Sequence, residues 1–371
     1  MHSYYGLCSL RSRVYHEIDL FMGFSWRDWS VTIIPSCLFA FGTLPNLAYR
    51  EAIRNCLLVV LWAMLYIYSF NLFTQSMSPD EDRINKPDRP IPSGKVSVNA
   101  ALKRCRITWG AFLIVSILHG QIIAEAIMWI LCTIFLGATK SGGHWIGKNV
   151  VGMSVGNWAL LSASRKLMGA QATQSSQHVV AISIWSGAIT QAQDFRDQEG
   201  DRKIGRKTFP ISFGDRTARH FLAFALIPLA FCGTYFFNLA KNAPWLLGTM
   251  HALVACRFLM FRNAKSDHKS YMLVTYIYCA MVAISSLESL GISSPTSTID
   301  MVDIGSTASL KTQTGLAANC AASTRRHKYT AAPTPQSLQS RIIAVFDRIP
   351  VIRMASSADV GDVVAKVILW H

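Results

Sequence analysis

Residues 55–75 read NCLLVVLWAMLYIYSFNLFTQ. The stretch carries no charged residue, and a helix crossing the hydrocarbon core of a bilayer needs about 20 mostly apolar residues. It is therefore predicted to be a membrane-spanning helix. Its far end is polar: Asn71 and Gln75 stand at i and i+4, on one helical face. Comparable runs lie on both sides of it, at 31–48, 107–139, 149–171, 177–193, 217–238, 243–261 and 270–292. The run at 107–139 is too long for one span, and Gly120, Gln121 and Glu125 are read as a tight turn inside it. The run at 149–171 is the weakest, rich in Gly, Ser and Ala as a helix packed among others would be. The expectation is an all-α integral membrane protein of about nine transmembrane helices, the membrane domain covering 31–293.

The composition agrees. Of 371 residues, 51% are hydrophobic and only 15% charged, with a mean hydropathy of +0.28, where a soluble chain carries about 25% charged residues. Collagen-like, repeat and wholly disordered classes are excluded by the same figures. Nine cysteines form no CxxC pair and no metal-ligand spacing, and most fall inside apolar runs as small buried hydrophobes. Lys and Arg number 36 against 21 Asp and Glu. Beside long apolar runs that excess is assigned to loops facing an anionic leaflet, not to nucleic acid. Residues 1–30 and the loops at 76–106, 140–148, 194–216 and 262–269 hold most of the basic residues, and with nine spans all of them share one side. The positive-inside rule makes that side cytosolic. Residues 294–371, rich in Ser, Thr and Ala, are read as a disordered tail. Because some thirty residues with several charges precede the first span, it is not read as a cleaved signal peptide.

The acids carry the most information. No carboxylate occurs between Glu51 and Asp80 or between Glu125 and Asp194, and then two groups appear: Asp80, Glu81, Asp82 and Asp88, and Asp194, Asp197, Glu199 and Asp201. Both follow the cytosolic end of an apolar run. Asp194, Asp197 and Asp201 stand at i, i+3 and i+7, one face of a helix. Three carboxylates so placed repel unless cations share them, and hard oxygen ligands in a row suit Mg²⁺, which bridges to phosphate oxygens. Asn71 and Gln75 add two further oxygens. Lys86 and Arg89 follow the first group; Arg202, Lys203, Arg206 and Lys207 follow the second. Acids, metal and Lys/Arg together are what holding a diphosphate and releasing it requires.

The second group runs Asp194-Phe-Arg-Asp197-Gln-Glu-Gly200-Asp201, followed by Arg202-Lys203-Ile-Gly205-Arg206-Lys207-Thr208. It resembles the DxxDxxGD and basic GxKT-type segment of the UbiA superfamily of intramembrane prenyltransferases. The first ends Asn85-Lys86-Pro87-Asp88-Arg89-Pro90-Ile91-Pro92-Ser93-Gly94, similar to that family's RPLPSG. It departs from the usual NDxxDxxxD: Asn71 is kept, but Leu72 and Gln75 stand where the first two acids would be. Such erosion is similar to the fungal branch of the superfamily, which includes membrane terpene cyclases of sesquiterpene and diterpene pathways.

The resemblance implies helices around a central cavity with both motifs at its cytosolic mouth. It implies Mg²⁺ held by Asn71, Gln75, Asp82, Asp194, Asp197 and Asp201, the last three catalytic, with Lys86, Arg89, Lys203 and Lys207 on the diphosphate. The substrate implied is a C15 or C20 isoprenyl diphosphate. The location expected is the endoplasmic reticulum or another internal membrane. Two fates of the allylic cation stay open: attack by its own double bonds, as in a cyclase, or by an aromatic or lipid acceptor, as in a prenyltransferase. The eroded first motif favours the cyclase. A transporter, the remaining reading, predicts acids at mid-span on broken helices, whereas these stand at span ends beside basic loops.

Overall fold

The computed structural model describes residues 2–169, 175–240 and 244–290, and no strand occurs among them. The tail assigned to 294–371 lies outside the described residues. Helix α1 (His2–Ser25) leads through a 3₁₀ turn (Trp26–Val31) into α2 (Ile33–Ala40) and a second 3₁₀ turn (Phe41–Asn46). Helix α3 (Tyr49–Met77) contains the 55–75 run. Ser78-Pro79 ends it, because proline has no amide hydrogen to donate to the previous turn, and Pro79 opens the short α4 (Pro79–Asn85), where that donor is not needed.

Helix α5 (Val98–His119) begins at Ser97, whose hydroxyl accepts from the amide of Ala100, and ends at Gly120, whose φ of 70° reverses the chain. Then follow α6 (Ile123–Ala138), a π-helical segment (Ile146–Met153) running into α7 (Ser154–Leu167), and α8 (Ser175–Ile189). Three short helices carry the second acidic motif and its sequel: α9 (Gln191–Asp194), α10 (Gln198–Lys203) and α11 (Phe209–Phe213). Helices α12 (Asp215–Tyr235), α13 (Pro244–Met260) and α14 (Ala264–Ser289) complete the order.

Each of the eight apolar runs overlaps one or more helical segments, and the run at 107–139 is divided between α5 and α6. Among the described residues, three helices are long and apolar enough to cross a membrane by length and composition: α3, α12 and α14, with mean hydropathies of 2.0, 1.3 and 1.5 over their 18-residue apolar windows. Glu125 does not belong to the turn after α5. It sits in the first turn of α6, fully buried, paired with Lys166 at 2.6 Å and accepting from Ser162 at 2.7 Å. Burial without a cation would cost several kcal/mol, roughly, so its place in the helix is set by Lys166 on α7.

The apolar interior has two main parts. One gathers Trp62, Tyr66, Phe112 and Trp129 from α3, α5 and α6. The other gathers Trp185, Phe195, Phe258 and Tyr278 from α8, the 195 loop, α13 and α14. Arg219, 1% exposed, ties three elements of the second part together. It donates to both oxygens of Asp267 on α14 at 2.6 and 2.8 Å, to Asp215 at 2.9 and 3.0 Å, and to the carbonyl of Phe261 at 3.1 Å. Removing one partner of such a pair leaves a buried charge uncompensated. Arg219→Leu is therefore expected to destabilise the protein by about 3–5 kcal/mol, seen as a lowered Tm in detergent; an unchanged Tm would refute this role.

Candidate active site

The first acidic stretch forms the opening turns of α4. Its helical spacing turns Glu81 and Asp82 inward and Asp80 outward, where Asp80 pairs with Arg83. Arg89 donates to both oxygens of Asp82, at 2.7 and 2.9 Å. Burial pushes the Arg89 pKa down, but Asp82 and Asp28 outweigh it and the net shift is upward, so the pair is ionic.

The second stretch is not one continuous helix. The chain breaks at Phe195–Asp197, with Asp194 ending α9, Asp197 at the N-cap of α10 and Asp201 inside α10. The single shared face expected from the i, i+3, i+7 spacing is thus replaced by a bend. All three carboxylates nevertheless point inward, 0%, 5% and 0% exposed, because each meets a cation. Asp194 accepts from Lys148 at 2.6 Å and from the amide of Asn149 at 2.7 Å. Asp197 meets Lys86 at 3.2 Å and Arg196 at 3.3 Å. Asp201 meets Arg206 at 3.2 Å, and Arg206 also pairs with Glu81.

Lys86 and Arg206 therefore join the two motifs, and Asn85 clamps them. Its amide nitrogen donates to the carbonyl of Asp197 at 3.2 Å, and its oxygen accepts from the amide of Gly200 at 3.2 Å. A side chain at residue 200 would collide with that amide, which is why the motif has glycine there.

The electrostatics are uneven. Burial raises the Asp197 pKa, but Lys86, Arg196 and Lys148 outweigh it and hold it at about 2. Burial pushes Asp194 and Asp201 upward despite Lys148, aided by repulsion from Asp201 at Asp194 and from Glu81 and Asp197 at Asp201. Lys148 is itself shifted up: burial opposes its charge, but Asp194 and Asp201 overcome it. The carboxyl groups of Asp28, Glu81, Asp82, Asp194, Asp197 and Asp201 are thus gathered with the cations Lys86, Arg89, Lys148, Arg196 and Arg206 at one end of the molecule.

A cavity opens between the two apolar parts. At its polar end stand Asn71, Gln75, Asp82, Lys86, Arg89 and Asp197. Asp194 and Asp201 lie behind this wall, holding Lys148 and Arg206, which do line it. Lys203 and Lys207 do not reach the cavity; both are exposed. Gly205, at φ 74°, turns the chain after α10 so that Arg206 points inward. The Lys207 backbone bonds instead to Gly143 and Trp145, at 3.2 and 2.9 Å.

Further in, the wall is aromatic. Trp129 stacks on Tyr66 with centroids 4.1 Å apart and planes 6° apart, and on Phe70 at 5.0 Å. Trp185 and Tyr278 face them from the other part. Trp185 donates to Nε2 of buried His251 at 2.8 Å, which fixes its ring.

Three contributors escaped the sequence reading. Lys148 and Asn149 lie in the π-helical segment at the start of the weakest run, where the only signal was a lone lysine at the cytosolic end. Asp28 lies in the 3₁₀ turn after α1, lines the cavity and accepts from Asn71 at 2.8 Å.

A fold of this kind, with two acidic motifs facing one cavity, has counterparts. The model of the UbiA prenyltransferase family matches residues 30–281, and the chain belongs to that family of membrane enzymes. Among its relatives, diterpene cyclase eriG of Hericium erinaceus is 43% identical over 284 residues, covering 76% of this chain and 93% of the relative. Polyprenyl transferase eriF of the same fungus is 40% identical over 283 residues, covering 76% and 98%. Somaliensene A/B synthase of Streptomyces somaliensis is 31% identical, covering 73% and 93%. The solved structure of a UbiA homolog from Archaeoglobus fulgidus bound to GPP and Mg²⁺ shares the fold, with a TM-score of 0.55 at 16% identity, covering 72% of this chain and 99% of that one.

The Asn85 clamp yields a test independent of chemistry. Replacing it by Leu removes both bonds, at a cost of roughly 1–3 kcal/mol. The amide of Gly200 should then exchange hydrogen at least about tenfold faster; equal protection in Asn85→Leu would show that the two motifs are held together by other means.

Proposed function

We propose that the protein is a Mg²⁺-dependent terpene cyclase that ionises a C15 or C20 isoprenyl diphosphate at the polar end of its cavity. The observation that carries this reading is the adjacency of the two walls: Asn71 of the polar end follows directly on Phe70, which stacks on Trp129. An allylic cation formed at the acids meets aromatic faces at once, and such faces stabilise cations by their quadrupole.

The donor set fits a hard cation. Asp201 Oδ2, Asn149 Oδ1 and Gln75 Oε1 are buried oxygens with no hydrogen-bond partner among the described residues. No three His, Cys, Asp or Glu side chains among the described residues form a ready ligand group. Asp194, Asp197, Asp201 and Asn149 on one side, with Asn71, Gln75, Asp82 and Asp28 on the other, would hold the metal. Mg²⁺ there supplies positive charge against the diphosphate oxygens as the leaving group departs. Lys86, Arg89, Lys148 and Arg206 bind and neutralise the diphosphate, and Tyr66, Phe70, Trp129 and Trp185 exclude water from the cation.

We further assign nine spans to the nine helical runs, with the polar end of the cavity facing the cytosol, in the endoplasmic reticulum or another internal membrane. The runs' lengths and the basic loops support both. The second reading is transfer of the prenyl group to an aromatic or lipid acceptor, favoured by the 40% identity to polyprenyl transferase eriF.

Two experiments test the proposal. Asp194→Ala and Asp197→Ala should each lower diphosphate release by at least about 100-fold at equal membrane insertion; near-normal turnover in either removes the metal-site assignment. Purified protein given Mg²⁺ and a C15 or C20 diphosphate alone should release diphosphate together with a cyclic hydrocarbon, since the nucleophile belongs to the same chain. A prenylated product that forms only after a phenolic or lipid acceptor is added decides for the transferase.

A further inference from the structure

Asn157, a polar side chain at the depth of the aromatic chamber, has a bonding pattern that is incomplete in a directed way. Asn157 lies on α7 and is half-buried, and it lines the cavity. Its neighbour Gly156 fixes the depth: a β-carbon there would fall 2.6 Å from the Trp129 ring and 3.0 Å from the Tyr66 hydroxyl. This turn of α7 is therefore level with the stacked rings, away from the acids.

Both amide hydrogens of Asn157 are committed. Nδ2 donates to the carbonyl of Met153, one turn back, at 3.0 Å, and to Ser186 Oγ on α8 at 2.8 Å. The bond to a carbonyl oxygen settles which end of the amide is nitrogen, since a flipped amide would set two oxygens against each other. Close approach of α7 and α8 makes the second bond possible: a β-carbon at Gly187 would sit 2.7 Å from the carbonyl of Val150. What Asn157 has left for the cavity is Oδ1, to which no donor among the described residues is bonded.

The other polar groups at this depth are differently engaged. The Tyr66 hydroxyl donates to the carbonyl of Gly156 at 2.9 Å. The indole nitrogens of Trp129 and Trp185 are donors only, and both are bonded, at 3.1 and 2.8 Å. The Tyr278 hydroxyl is buried and has no hydrogen-bond partner among the described residues.

Resting on the cyclase reading, we propose that Asn157 Oδ1 is the group that positions the positive charge in the chamber and takes the terminating proton. A neutral carbonyl dipole fixed in a water-poor site attracts a carbocation without supplying a full counter-charge. In the final step a C–H bond beside the cationic carbon breaks and its electron pair becomes the new double bond. The proton goes to a lone pair of Oδ1, a weak base that gives it up to solvent water as the product leaves, where the released diphosphate takes it. The substrate thus ends as hydrocarbon plus protonated diphosphate, with no further reactant.

The test compares wild type with Asn157→Leu, full-length and purified, given Mg²⁺ and a C15 or C20 diphosphate. Diphosphate release and product composition are both measured, and each product is expressed per diphosphate released, so lowered turnover does not hide the result. Release is expected to persist, while the share of the wild-type hydrocarbon falls at least about tenfold in favour of earlier-quenched alkenes or alcohols. If Asn157→Leu is inactive, Asn157→Gln, which keeps a carbonyl, is read against Asn157→Met, which has similar length without one. Gln should retain the wild-type hydrocarbon and Met should lose it. An unchanged product ratio, or loss of diphosphate release in every variant, overturns the assignment of Asn157. Wild-type protein that makes no hydrocarbon from a prenyl diphosphate alone overturns the cyclase reading instead, and this assignment with it.

Discussion

Buried carboxylates need cations, and in this protein the cations come from elsewhere in the chain. Asp194, Asp197 and Asp201 would each be costly in a low-dielectric interior, by several kcal/mol per unpaired charge, roughly. Lys148 arrives from the π-helical segment before α7, Lys86 from the loop after α4, and Arg206 from the turn after α10. The loops at one end of the helices therefore cannot be placed independently. Charge neutralisation fixes them relative to each other, and the cavity mouth follows from where they meet.

That requirement explains how much was legible in advance. Helix positions were readable because apolar runs of 16 or more residues leave few alternatives to helix, and they fall where the helices are. The acids were readable because they interrupt long carboxylate-free stretches. Their partners were not, since a salt bridge between residues 148 and 194 has no local signature. The resemblance implied Lys203 and Lys207, not Arg206, on the diphosphate; the reversal at Gly205, which only backbone geometry reveals, turns Arg206 to the cavity in their place. The bend between α9 and α10 escaped for a related reason. The spacing of the three acids fits a continuous helix, but pairing Asp197 with Lys86 on the opposite loop, while Asn85 holds Gly200, favours the interruption.

The positions that depart from the family's first motif have structural work of their own. Leu72 is fully buried in a small apolar group with Leu20 and Phe24 of α1 and Ala101 and Cys105 of α5. Gln75 donates to the carbonyl of Phe24 at 3.4 Å. A carboxylate at residue 72 would sit among those apolar side chains without a cation, so the substitution is matched to the presence of α1. Docking α1 there brings the next turn of chain, and with it Asp28, to within 2.8 Å of Asn71. A carboxylate from the N-terminal segment thus stands beside the polar end of α3. Leu72 and the N-terminal helix are thus coupled: the apolar seat on α3 docks α1, and the chain that leaves α1 carries Asp28 to the cavity.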